Sequence, residues 1–109
     1  MDAPAPTLEE EPNLIKGVVK DPRGNPIQNI LVEVKDDEDN PVRAFKTNNL
    51  GVFASATSLA NGHYTIVLED PKLVHKFDTL SINATGAPIT TLEVTSIDPR
   101  EELRRELFN

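Results

Sequence analysis

From Leu14 onward, apolar and polar positions alternate with period two. In LIKGVVK, Ile15, Gly17 and Val19 share one parity, and Lys16, Val18 and Lys20 the other. In ILVEVKD, Ile30, Val32 and Val34 alternate with Leu31, Glu33 and Lys35. VRAFKT, VFASAT, HYTIVLE, DTLSINAT and TTLEVTSI follow, each short and rich in β-branched or aromatic residues. In the last two, Leu80, Ile82, Leu92 and Val94 hold the inward parity. Period-two alternation means a strand with one face buried. Seven such strands, at a spacing of roughly ten residues, predict an all-β sandwich.

Turn formers separate the strands. VKDPRGNPI (residues 19–27) is echoed by VKDDEDNPV (residues 34–42). This reads as two successive strand ends, each running into an Asn-Pro turn exit. In the first copy Asp21 bonds back to the chain, Pro22 presets φ and Gly24 accepts a positive φ. The second copy has no glycine and predicts a looser turn. Asn48 and Gly51 mark a reversal, and Asn61-Gly62 is a short-turn signal. Pro26 and Pro41 fall in connections or at strand starts, where a missing N–H does no harm.

Both ends depart from the strand pattern. MDAPAPTLEEEPN holds three of the nine prolines, four acids and one large aliphatic residue, Leu8. It buries too little apolar surface to offset its ordering entropy, so residues 1–13 are expected to be an acidic, disordered linker or tail. A linker behind an initiating Met is what an excised domain looks like. At the other end, residues 98–109 predict a short amphipathic helix. Asp98 is its N-cap, Pro99 its first residue and Glu101 its capping-box partner. Glu101 and Arg105 form an i,i+4 pair. Leu103, Leu107 and Phe108 line one side, either docking on the sandwich or binding a partner.

Composition narrows the function. A chain of 109 residues supports one domain, here residues 14–97. A formal charge of −7 and no basic stripe argue against nucleic acid and against an anionic membrane surface. With no cysteine there is neither a disulfide nor a thiolate zinc site. No apolar run approaches the ~20 residues of a membrane span, and no signal peptide is evident.

The ordered set IKGVVKDPRGNPIQNILVEV, TNNLGVF and NGHYTIVL resembles the carboxypeptidase regulatory-like domain, a transthyretin-like (prealbumin-like) Greek-key sandwich of seven strands. The matching positions are Gly17, Val19, Asp21, Gly24, Pro26 and Ile27; then Asn29, Val32, Thr47, Asn48, Gly51 and Phe53; and finally Gly62, Tyr64 and Ile66. All are scaffold positions. Gly51 and Gly62 suit reversals where a Cβ would clash. Phe53 and Tyr64 fill the interior, and a buried Tyr hydroxyl needs a backbone partner. The stretch NPVRAFKTNNLGVFASAT is also similar to a module that ends some bacterial type IV secretion membrane subunits.

No catalytic or cofactor constellation appears. Transthyretin-like hydroxyisourate hydrolases end in Tyr-Arg-Gly-Ser, whereas this chain ends in RRELFN. Intradiol dioxygenases need two tyrosines, and Tyr64 is the sole one. His63 and His75 have no recognised ligand spacing. The DDED turn offers Asp36, Asp37 and Asp39 to calcium, but it lacks the EF-hand order and reads as a solvated acidic turn. Collagen-adhesin B-type domains join a first-strand Lys to a last-strand Asn with help from a buried acid. Lys16 or Lys20 and Glu33 or Glu69 are available here, but the nearest Asn, Asn83, lies one strand early. Asn83-Ala84-Thr85 is a formal glycosylation sequon.

The resemblance implies a non-enzymatic accessory module of a larger bacterial envelope or secreted protein. Such a module acts as a structural spacer or contacts a protein partner or the domains of its host. The alternatives are a stand-alone small binding or homo-oligomerising protein and a self-crosslinking surface-adhesin domain.

Overall fold

A computed structural model describes residues 11–108. Seven strands and one helix follow in order: β1 (Lys16–Lys20), β2 (Leu31–Lys35), β3 (Pro41–Lys46), β4 (Val52–Ala54), β5 (Gly62–Glu69), β6 (Leu80–Ala84), β7 (Leu92–Thr95) and α1 (Pro99–Phe108). They form a sandwich. One sheet has the order β4-β1-β7 and the other β3-β2-β5-β6. Hairpin pairs β2–β3 and β5–β6 build the larger sheet, and the chain crosses between sheets at the other connections.

The alternation read from the sequence is the one the sheets use. Ile15 and Val19, Ile30, Val32 and Val34, and Tyr64, Ile66 and Leu68 are all buried. Phe53, Ala84 and Val94 complete the interior between the sheets. Each fully buried large aliphatic contributes about 1.5–3 kcal/mol, so this shared face holds the fold together. Phe45 of β3 stacks on Phe53 of β4 with ring centroids 5.9 Å apart, tying the two sheets at one corner. The Tyr64 hydroxyl donates to the Ala60 carbonyl at 2.6 Å, so a buried phenol keeps its hydrogen bond.

β1 is the middle strand of the smaller sheet, antiparallel to β4 and parallel to β7. The parallel pair fixes the molecule's polarity. The chain passes up β1 from one pole and leaves along β7 toward the other. The β1–β2 connection, the β5–β6 connection and the start of α1 therefore gather at one pole, here called upper. The segment before β1 lies at the lower pole, with the loops that precede β5 and follow β6.

That segment corrects the boundary at residue 13. Pro12 bridges to Pro88, and Asn13 is buried. The Asn13 backbone N–H donates to Ala87 and its carbonyl accepts from Leu59. Its Nδ2 donates to the Leu59 carbonyl and to Asn61 Oδ1, and its Oδ1 accepts from Gly86 N–H. Pro12 and Asn13 thus belong to the sandwich, and residues 1–10 of the expected tail lie outside the described residues.

Candidate functional site

One turn design recurs four times, and three of its copies shape the upper pole. In each, an Asp or Asn side-chain oxygen accepts from the N–H two and four residues on, and the residue three on has a positive φ. The first residues are Asp21, Asp36, Asn48 and Asp70. The positive-φ residues are Gly24, Asp39, Gly51 and Leu73. The DDED turn is accordingly as tight as its glycine-bearing twin: Asp39, at φ 67, stands where Gly24 does. Aspartate tolerates the left-handed region better than most residues because its short side chain bonds locally, so the expected looseness does not arise.

Turn donors also set the charge state of these carboxylates. The Asn25 N–H holds the Asp21 carboxyl below its ordinary value, and Asn40 does the same for Asp36. At Asp70 burial pushes upward, but N–H groups of Lys72, His75 and Val74 outweigh it and the net shift is downward. All three acids are spent on the backbone and remain ionised.

Two open recesses meet at the upper pole. One, of about 560 Å³, lies between the turn at Asp21–Asn25 and the start of α1, with Val74, His75 and Ser96 along it. The other, of about 580 Å³, runs from Pro26–Asn29 past Lys46 to Asp70–Lys72. Asp21, Val74 and His75 line both, making one continuous groove. Val74, Ile27 and several prolines are among its lining residues. The cations Arg23, Lys46, Lys72 and Arg100 line it and are exposed. Among the described residues, Arg23, Lys46 and Lys72 make no ion pair. The Ser96 hydroxyl is buried beside this groove, with no hydrogen-bond partner among the described residues.

The sequence profile of the carboxypeptidase regulatory-like domain matches residues 14–95. The chain belongs to that family. A solved structure, "The Bacillus anthracis TIE protein", shares the fold with a TM-score of 0.60 at 16% identity. The match covers 77% of this chain but only 17% of that one. No curated protein matches the chain.

The residues singled out in the sequence differ in what surrounds them. Gly17 sits beneath the Phe53 ring: a Cβ there would lie 2.5 Å from the ring and 2.8 Å from the Leu92 carbonyl. Gly51, at φ 74, packs against the Val19 carbonyl. Gly62 is different. A Cβ there meets nothing nearer than 3.9 Å, so the expected clash is absent. Asn61-Gly62 does not close a hairpin either: β4 and β5 lie in different sheets, and Asn61 instead receives Asn13. Pro26 bridges to Lys20, and Pro41 opens β3.

The candidate calcium ligands do not converge. Asp36 caps its turn, Asp37 meets His63 Nδ1 at 3.1 Å, and Asp39 lies 3.7 Å from Lys35. Among the described residues no group of three potential metal ligands forms. The crosslinking pair is not assembled: Lys16 and Lys20 are on β1, Asn83 is on β6 of the other sheet, and Lys20 and Asn83 are exposed.

The helix forms with Asp98 as N-cap, its carboxylate accepting from Arg100 N–H at 2.8 Å. Glu101 makes no capping-box bond among the described contacts. Arg105 turns to Asp78 at 3.3 Å instead of to Glu101, and Glu102 pairs with Lys76 at 3.0 Å. The hydrogen bond and charge of Glu102 raise the Lys76 pKa. The helix is thus moored to the β5–β6 loop by charge, with Leu103 and Leu107 exposed. The Phe108 side chain lies outside the described residues. Among the described residues no helix is long and apolar enough to cross a membrane.

The groove escaped sequence reading. Its residues come from four separate segments, each of which looks like an ordinary turn or strand end. Only their common placement at one pole makes a site.

Proposed function

We propose that this domain is a non-enzymatic, in-line accessory module of a longer envelope or secreted protein, serving as a spacer and as a protein-docking unit. The observation that carries the reading is the parallel pairing of the first and last strands. A chain that enters on β1 and leaves on β7 traverses the sandwich from pole to pole, so flanking segments are held apart. Hairpin-like ends, by contrast, would bring them together. Asn13 fixes the direction of approach, and the ion pairs of α1 fix that of departure. A similar sandwich occupying 17% of a much longer chain supports modular use. Scaffold glycines, turn-capping acids and an unconverged set of histidines support a role without catalysis.

The test is an immunoblot of fractionated source cells with an antibody to this domain. The expected result is a band well above 12.0 kDa in the envelope or extracellular fraction. A soluble band of the domain's own size would replace this reading with a self-contained binding protein.

A further inference from the structure

The first and last strands, β1 and β7, lie side by side and parallel. Their register sets Gly17 against Leu92, Val18 against Glu93, Val19 against Val94 and Lys20 against Thr95. The Ser96 N–H extends the pair by donating to the Lys20 carbonyl at 2.8 Å. A chain held at both ends is therefore loaded in one particular way. The segment before β1 pulls that strand toward the lower pole, and the segment after β7 pulls its strand toward the upper pole. The two strands are drawn past each other along their length. Bonds across the pair then share the load and must fail together. A hairpin pulled from its open end behaves otherwise. Its bonds fail singly, and each residue released lengthens each strand by about 3.3 Å. A barrier crossed over a short displacement withstands a larger force than the same barrier crossed over a long one.

The surroundings of the pair protect it. β1 is the middle strand of its sheet, braced on its other side by β4. Val19 and Val94 are buried, and the Phe53 ring packs on Gly17 beside the Leu92 carbonyl. Water is thus kept from the inner face, where it would replace a strained bond. Load arriving from before β1 meets Asn13 first, whose bonds to Leu59, Asn61, Gly86 and Ala87 spread it over two loops. At the other end, α1 is moored by the surface ion pairs Lys76–Glu102 and Arg105–Asp78, a kind that contributes little. The helix gives way first and delivers the load to Ser96 and β7. We propose that the domain bears tension, with β1 and β7 as a shear clamp that keeps the sandwich folded while its host is stretched. This rests on the in-line reading above and adds that the spacer holds under load.

The test is single-molecule force spectroscopy on the full chain, because forced unfolding reports the barrier to unfolding. The sequence has no cysteine, so one introduced thiol gives a unique handle. T90C puts it at an exposed position just before β7, at the lower pole. T91C, also exposed, serves if T90C loses its folded spectrum. Two tethering patterns are then compared on one variant of one stability. Handles at both chain ends load the pair in shear. Handles at the N-terminal end and at the introduced thiol peel β1 from β7 at the lower pole. At one pulling speed, the end-to-end rupture force is expected to be more than double the peeling force and to unfold the sandwich in one step. Equal forces, or stepwise unravelling at low force under the end-to-end load, would overturn the load-bearing role. The in-line placement would survive that outcome, since cell fractionation tests the placement and not the clamp.

Discussion

Gly17 and Gly24 lie seven residues apart, yet the fold needs them for unlike reasons. At Gly17 the demand is space, since Phe53 and the Leu92 carbonyl occupy the volume of a Cβ. At Gly24 there is nothing within 4 Å, and the demand is only φ, which is 92°. Gly17→Ala should therefore cost about 2–3 kcal/mol through overpacking. Gly24→Ala should cost about 1 kcal/mol through backbone strain. Urea denaturation of both variants checks the ranking. A smaller residue at 53 should relieve part of the first penalty and none of the second, because only neighbouring sites couple.

At the scale of elements, the repeated turn predicts how the protein meets acid. The carboxyls of Asp21, Asp36 and Asp70 are all lowered from an ordinary value of 3.8. A group whose folded pKa is depressed stabilises the fold above its unfolded pKa, and that contribution disappears as pH falls through the folded value. Stability should thus decline below about pH 4. Asn48 performs the same bonding role without a charge, so asparagine is a working replacement. D21N/D36N/D70N should fold and show a flatter acid limb in denaturation midpoints measured between about pH 2 and pH 6. An unchanged acid limb would mean that other carboxylates control acid unfolding. Leu73 shows the same turn from another side. Its left-handed φ of 60° would suit glycine, and the side chain is 78% exposed. It lines a separate recess with Leu68, Lys76 and Phe77.

For the whole molecule, the decisive contact is one that joins distant segments. Asn13 binds Leu59, Asn61, Gly86 and Ala87, closing the lower pole with side-chain and backbone bonds alike. Asn13→Ala leaves buried partners unsatisfied and should cost at least about 2 kcal/mol. It should also free the direction in which the preceding segment approaches. Chemical denaturation measures the first effect, and residual dipolar couplings across the residue 12–14 segment measure the second. A stability loss below about 0.5 kcal/mol would show that the pin is dispensable.

The sequence by itself determined the seven strands, their inward faces, most of the turns and the family. These are local consequences of period-two alternation and of residues with restricted or permissive φ. It also placed Phe53 and Tyr64 inside, since large rings on the inward parity have nowhere else to go. Tertiary structure alone decided the rest. Asn13 looked like the end of a linker because its partners lie more than forty residues away. Arg105 was matched to a helical neighbour and found Asp78 instead, because a loop carboxylate came closer than the one on its own helix. The groove exists only where the sandwich brings separate turns to one pole. Local chemistry can be read along a chain, but proximity between remote segments is created only when the two sheets close on each other.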